Sequence, residues 1–292
     1  GKELFKNIFV RDANLQPKTF GEIMRLTKNA ASGGINKRSF TLIGDPALQI
    51  ALPRLKIVTD SINHFDPSIV VDTVRALSKM NVKGHIEDSY GNIMTSLNGI
   101  LSPTIFDKPK DVKTLGQNIT SPIMDFQTQK NALYKGKASV VNGYFDFSFI
   151  VPKDINYAYG NGKISYYGNN DQIDAAGYDQ RFIVGGLNLA GINDDTPPTV
   201  ELYLNDENFV SGGLTDQNPK LIVNLSDENG INAVGNGIGH DIVAILDNNT
   251  AKPIVLNEYY VADLDSYQSG KVNYDFKNLA VGPHTLTFKV FD

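Results

Sequence analysis

Residues 235–241, Gly-Asn-Gly-Ile-Gly-His-Asp, combine three alternating glycines with a histidine and an aspartate, the residue types of phosphate loops and acid–base sites. A dinucleotide-binding loop needs a glycine three places after its second glycine, but His240 occupies that place. A P-loop ends in Gly-Lys followed by Ser or Thr, which this segment lacks. Both loops lead into a helix, whereas residues 241–246 have the apolar pattern of a strand. The sequence therefore predicts a glycine-rich bend that enters a strand.

The adjacent His240 and Asp241 form the second candidate for chemistry. A general base needs a nucleophile within hydrogen-bond reach and a partner that orients it. Neighbouring residues of a strand point to opposite faces, so Asp241 is poorly placed to orient His240. The other histidines, His64, His85 and His284, are scattered along the chain, and their spacing resembles no metal site. We predict no catalytic, cofactor-binding or metal-binding residue in this sequence.

Composition narrows the function classes further. The 292 residues include no cysteine, which excludes thiol catalysis, disulfides and zinc–thiolate sites within this sequence. The 27 basic and 32 acidic residues give a net charge of -5, which argues against a nucleic-acid partner. The longest apolar runs, such as Phe145–Pro152, are far shorter than the ~20 residues of a membrane helix. A disulfide-free chain suits both a cytosolic protein and a large exported one.

Polar loops and tyrosines leave two alternatives open. Loops rich in Asn and Asp, at residues 169–171 with Asp174, 193–195 and 205–208, could supply oxygen ligands to calcium. None matches an EF-hand, and turns favour the same residues without any metal. The tyrosines that could line a carbohydrate platform are Tyr157, Tyr159, Tyr166, Tyr167 and Tyr178. Alternating tyrosines are also common in ordinary strands. A cell-surface adhesin or glycan-binding module is therefore the alternative function.

The elements that would position these residues differ along the chain. Thr19–Asn29 predicts an amphipathic helix with Thr19 as its N-cap. The apolar run Ser39–Ile43 predicts a buried strand after it. A helix followed by a buried strand is typical of the closing part of an α/β domain, and we assign residues 1–53 to such a remnant.

From Arg54 onward the pattern is all-β. Asn-Gly pairs, which favour hairpin turns, occur at residues 98–99, 142–143, 161–162 and 229–230. Strand-like runs occupy residues 137–141, 144–150, 163–167, 200–204, 221–225, 242–246 and 285–290. A polar, proline-marked segment at 193–198 predicts a boundary. We therefore predict two β-sandwiches, residues 54–193 and 194–292. Gly1 before Lys2, and an end at Asp292 without a polar tail, lead us to expect a fragment of a longer protein whose second sandwich is cut short.

Residues 40–48, Phe-Thr-Leu-Ile-Gly-Asp-Pro-Ala-Leu, with Leu52-Pro53 behind them, resemble the end of the catalytic domain in gingipain-type cysteine peptidases. In that family this motif closes a caspase-like α/β fold and leads into immunoglobulin-like modules. Further segments resemble the sortase-type branch of the family, which serves the type IX secretion system of Bacteroidetes. They are residues 77–79, 82–84, 103–108, 136–140, 149–155, 162–167 and 235–241. Residues 82–92 are also similar to the first hairpin of carboxypeptidase-regulatory-like sandwiches.

The resemblance implies a mainly β fold, with two immunoglobulin-like or carboxypeptidase-regulatory-like sandwiches after a small α/β remnant. It implies an exported, outer-membrane-associated parent that cleaves C-terminal secretion signals from cargo and attaches the cargo to surface lipopolysaccharide. That parent would work beside an outer-membrane β-barrel partner. The family uses a Cys nucleophile and a His base in motifs that would precede Lys2, so no family site residue maps onto this sequence. We expect a non-catalytic region that supports the upstream catalytic domain and docks partners or cargo.

Overall fold

The computed structural model describes residues 2–12, 16–31, 34, 39–117, 121–191, 196–233 and 241–291. The chain forms two compact units, residues 1–54 and 55–292. No helix in the described ranges is both long and apolar enough to cross a membrane.

The first unit contains the helices α1 (Lys2–Ile8) and α2 (Phe20–Ala30). The Glu22 N–H donates to Thr19 Oγ1 at 3.3 Å, so Thr19 caps α2 as predicted. Ile23 is the buried residue of the apolar face of α2. The helix predicted over Thr19–Asn29 is therefore confirmed.

The strand predicted over Ser39–Ile43 is wrong. Residues 40–43 have no regular secondary structure, and Phe40 and Ile43 are 63% and 96% exposed. A strand takes its backbone hydrogen bonds from a neighbouring strand. The described residues of this unit contain no strand that could pair with this segment. The apolar pattern of residues 39–43 therefore has no sheet to join.

The second unit consists of strands in two groups, which we call the first β region (residues 55–191) and the second β region (residues 196–291). Those of the first region are β1 (Leu55–Ile62), β2 (Thr73–Ala76), β3 (Lys79–Glu87), β4 (Gly99–Phe106), β5 (Lys110–Lys113), β6 (Asp125–Thr128), β7 (Ala132–Lys135), β8 (Ala138–Val141), β9 (Tyr144–Ile150), β10 (Gly160–Asn161), β11 (Lys163–Asn169), β12 (Asp174–Asp179) and β13 (Ile183–Leu187). Those of the second region are β14 (Thr199–Leu204), β15 (Lys220–Ser226), β16 (Val243–Leu246), β17 (Ile254–Val255), β18 (Tyr260–Ala262), β19 (Ser269–Asp275) and β20 (Leu286–Lys289). A 3₁₀ helix, Asn257–Tyr259, precedes β18.

The largest sheet of the first region closes on itself. Its order is β11-β12-β1-β3-β9-β8-β4-β7, and β4 also pairs with β11, from Ile100↔Asn169 to Phe106↔Lys163. Seven strands thus form a closed barrel, while β7 extends from the edge of β4. The mainly β class is confirmed, but the sequence did not predict closure. Inward–outward alternation is the same in a sandwich and a barrel, and closure depends on the long-range pairing of β4 with β11.

The seven predicted strand runs are all found in the structure. They correspond to β8, β9, β11, β14, β15, β16 and β20, with ends that shift by a few residues. Of the four Asn-Gly pairs, only Asn142-Gly143 joins two paired strands. Its φ angles of 52° and 80° are those of a two-residue hairpin turn between β8 and β9. The other pairs lie beside strands that pair elsewhere, because a local turn does not decide which strands become neighbours.

The second region has a four-stranded sheet, β14-β15-β19-β18, and a three-stranded sheet, β17-β16-β20. Its buried Leu221, Val223 and Val272 belong to the same apolar cluster as Phe147 and Phe149 of the barrel. The two β regions therefore share one continuous core. Residues 193–195, in the predicted boundary, lie outside the described residues, so the division into two sandwiches and their immunoglobulin-like type stay predictions.

Candidate functional site

The glycine-rich segment that could have done chemistry, including His240, lies outside the described residues. Its flanking residues are held by one side chain. The Ile242 N–H donates to Asn257 Oδ1 at 3.1 Å, and Asn257 Nδ2 donates to the Ala233 carbonyl at 3.2 Å. The strand β16 begins at Val243, so the prediction that a strand follows the segment is confirmed.

The three described histidines do not come together. His85 lies on the barrel with Nδ1 2.8 Å from Asp60 Oδ1 and Nε2 3.5 Å from Glu87 Oε2. The ammonium of Lys56 holds the pKa of Glu87 below its ordinary value. His284 contacts Asp247 and the Ala280 carbonyl, and His64 is exposed. Within the described ranges, no group of three His, Asp or Glu side chains could hold a metal.

Two of the three Asn/Asp loops use side-chain oxygens to accept backbone N–H groups. Asn170 Oδ1 accepts the backbone N–H groups of Gln172 and Ile173. Asn205 Oδ1 accepts the N–H of Lys220, and Asp206 that of Asn208. Residues 193–195 lie outside the described residues. Turn chemistry accounts for the contacts of Asn170 and Asp206, whereas Asn205 bonds a residue fifteen positions away. A bound calcium stays a proposal.

The five tyrosines do not form one platform. Tyr166 points into the barrel, where it is 3% exposed and its hydroxyl lies 2.8 Å from Thr59 Oγ1. Tyr167 and Tyr178 are exposed on strands β11 and β12. Tyr157 and Tyr159 are exposed in the segment before β10. Tyr166 is therefore unavailable to a glycan, because the alternation that exposes Tyr167 buries its neighbour.

The structure reveals a site that the sequence did not predict, where the two β regions meet. A cleft of about 410 Å³, which we call the junction cleft, lies beside β7. It is lined by residues 130–132, 134 and 135, by Ala233 and Asp241, and by Val255 of β17 with the 3₁₀ helix. Strands β7 and β17 are each the last strand of their sheet. An edge strand carries backbone N–H and C=O groups that its sheet does not pair. The junction cleft therefore brings two sheet edges together.

Just after β7 in the sequence, hydrogen bonds join the two β regions. Lys137 and Leu264 form an isolated parallel bridge, and the Asp265 N–H donates to the Lys137 carbonyl at 2.9 Å. The N–H and hydroxyl of Ser139 donate to the two carboxylate oxygens of Asp265, each at 2.6 Å. The two β regions are thus joined directly at residues 137 and 139.

The charges around the junction cleft are of both signs. Lys130 and Lys135 lie on the β7 side, with Asp241 and Glu258 on the opposite side. None of these four forms an ion pair in the part of the chain that the structure describes. Tyr134 also lines the cleft but is largely buried, and its ring is stacked on that of Phe149 with the centroids 4.6 Å apart. Burial, with a smaller contribution from Asp265, raises the pKa of Tyr134 to about 12.

No protein-family model and no curated protein sequence matches the chain. Among solved structures, the crystal structure of dimeric latent PorU from Porphyromonas gingivalis is similar, with 30% sequence identity and a TM-score of 0.51. The match covers 98% of this chain and 27% of the PorU chain. The chain has a PorU-like fold. It spans about a quarter of the PorU chain that it matches.

Two other solved structures are more distant. Spo0M, a sporulation control protein from Bacillus subtilis, has 12% identity and a TM-score of 0.28, over 77% of this chain and 91% of that one. FdeC, an Escherichia coli adhesin, has 12% identity and a TM-score of 0.21, over 82% of this chain and 60% of that one. At these TM-scores neither likeness supports a function, whereas the likeness to PorU extends over nearly the whole chain.

Proposed function

We propose that this chain is the non-catalytic, β-rich region of a PorU-type protein, a sortase-type cysteine peptidase of type IX secretion. The likeness to PorU, at 30% identity over 98% of the chain, carries the proposal. The sequence contains no cysteine and so cannot supply the nucleophile of such a peptidase. On this proposal the chain supports a catalytic domain that precedes it, and docks cargo or an outer-membrane β-barrel partner.

The proposed parent is secreted and works at the cell surface. It removes C-terminal secretion signals from cargo and attaches the cargo to lipopolysaccharide. The shared core of the two β regions supports a docking role, because surfaces on a common core hold a fixed relation to one another. A rigid support suits a region that presents cargo to a catalytic domain.

Catalysis by the chain itself is tested with the full 292-residue chain and fluorogenic peptides that carry a type IX secretion signal. We expect no turnover above the buffer rate. Turnover by the chain that disappears on His240→Ala would overturn the non-catalytic assignment. Independently, the coding sequence upstream of Lys2 is expected to encode a Cys and a His in a gingipain-like context.

Docking is tested by surface plasmon resonance, with the chain immobilised and a purified cargo secretion-signal domain as the analyte. The matched control is the same cargo without its signal domain. We expect binding of the signal-bearing cargo alone. Equal binding of both cargo forms, or of neither, would contradict the docking role.

A further inference from the structure

We propose that the junction cleft binds an extended peptide segment, which pairs with the free edge of β7. The proposal deepens the docking role given above. Only the source of the peptide, the cargo or a partner, rests on that proposed function. The binding site itself is argued from the cleft.

The backbone geometry of the cleft suits an added strand. On one side β7 pairs with β4, with Ile105↔Tyr134 and Thr104↔Lys135 in register. Its other edge faces the second β region, to which the chain is bridged just beyond, at Lys137↔Leu264. Strand β7 is the last strand of its sheet, so this edge has no partner strand within that sheet. An extended peptide satisfies such an edge by main-chain hydrogen bonds.

The size of the cleft fits a short segment. Its volume of about 410 Å³ lies in the range of ligand-binding pockets. Tyr259, which is 45% exposed, supplies aromatic surface, and aromatic side chains give contact area with little loss of side-chain entropy. Asn257 is buried and bonded on both of its amide atoms, so the wall opposite β7 is held in place. These two hydrogen bonds fix Asn257 within the described part of that wall.

The charges define the chemistry of the peptide. Lys130 and Lys135 can pair with an acidic side chain, and Asp241 and Glu258 with a basic one. None of the four has an ion-pair partner among the described residues, although they carry both signs around one cleft. The occupant is thus an extended segment that carries one acidic and one basic residue.

The probes are capped peptides of about eight residues, within the usual range of strand lengths, built from Thr and Val with one Glu and one Lys near opposite ends. Both orders of the charges are used, because parallel and antiparallel pairing place them differently. Fluorescence anisotropy with the full chain gives the affinity. Control peptides replace alternate Val residues by Pro, which removes the N–H groups that pairing needs.

We expect at least one probe to bind, and its proline control to bind at least about tenfold more weakly. Lys135→Glu should weaken binding about tenfold, and a peptide with Lys in place of its Glu should restore it. The matched variant Lys110→Glu, on β5 and away from the cleft lining, should bind like the wild type.

The proposal is overturned if no probe binds below about 1 mM, if the proline controls bind equally, or if Lys110→Glu acts like Lys135→Glu. Such a failure leaves the cargo-binding experiment to decide the docking role. Cargo that binds while all peptides fail would place docking on another surface.

Discussion

Removing the Tyr166 hydroxyl tests whether this residue serves the barrel core or an external ligand. Its oxygen lies 2.8 Å from Thr59 Oγ1, and the two residues are 3% and 6% exposed. Burial raises the pKa of Tyr166, so the phenol stays protonated in any ordinary buffer. Tyr166→Phe leaves the Thr59 hydroxyl buried without this partner.

The size of the effect follows from that lost hydrogen bond. A buried polar group left unpaired costs about 1–3 kcal/mol, whereas removing both partners together is close to neutral. We therefore expect Tyr166→Phe to lower the free energy of unfolding by ~1–2 kcal/mol, within that range. For a unit of this size the corresponding fall in Tm is about 2–8 °C. Thr59→Val combined with Tyr166→Phe should recover most of the loss.

The assay is thermal and urea unfolding of the wild type, the two single variants and the double variant. Tyr167→Phe is the matched control, because Tyr167 is the next residue of β11 and is 45% exposed on the outer face. Its Tm should match that of the wild type. Equal effects of Tyr166→Phe and Tyr167→Phe, or strictly additive losses in the double variant, would refute the interior role of Tyr166.

Three further predictions concern packing, the junction and pH. Gly84→Ala should lower the free energy of unfolding in urea by at least ~1–3 kcal/mol, because the added Cβ would lie 2.1 Å from the Val58 carbonyl oxygen. The control Gly168→Ala should be tolerated, because the nearest atom to its Cβ would be 3.5 Å away. Asp265→Ala should lower the free energy of unfolding by ~1–2 kcal/mol and raise the amide hydrogen-exchange rate of Ser139, because both hydrogen bonds from Ser139 are lost. Asp265→Asn should be closer to the wild type, because Asn tolerates the φ of 58° at this position. Hydrogen bonds to the Ala280 carbonyl and Asp247 raise the pKa of His284. The contribution of His284 to the free energy of unfolding should therefore be full below pH ~6.5 and be lost as the pH rises through the raised pKa. In pH-dependent urea unfolding, His284→Ala should remove this trend.

The residues that sequence reasoning placed well are those whose local pattern decides their structure. Thr19 caps a helix because its hydroxyl reaches the N–H of Glu22, three residues away. Residues 144–150 alternate between faces, and the structure has a strand with those bounds. Local pattern failed where a partner decides the outcome. The run at residues 39–43 is apolar enough for a strand but has no neighbour among the described residues of its unit.

The junction cleft was missed for the same reason. No motif connects Lys135 with Glu258, which lie 123 places apart in the sequence and meet only because β7 and the 3₁₀ helix belong to regions that share a core. Asp265 gives no sequence signal either, because its φ of 58° and its contact with Ser139 are known only from the structure.

Lys130 and Lys135 could also protect the edge of β7 from pairing with another chain. Asp241 and Glu258 help to distinguish this explanation from peptide binding. Proteins protect exposed sheet edges with lysines and with short strands. Strand β7 is only four residues long, ends in Lys135 and begins two residues after Lys130. Protection alone requires no opposite charge across the edge, yet Asp241 and Glu258 face the same cleft. If the lysines only guard the edge, Lys135→Ala should increase self-association in sedimentation velocity and Glu258→Gln should change nothing. If they belong to a peptide site, each substitution should weaken binding of the charged probe while the chain keeps the sedimentation of the wild type.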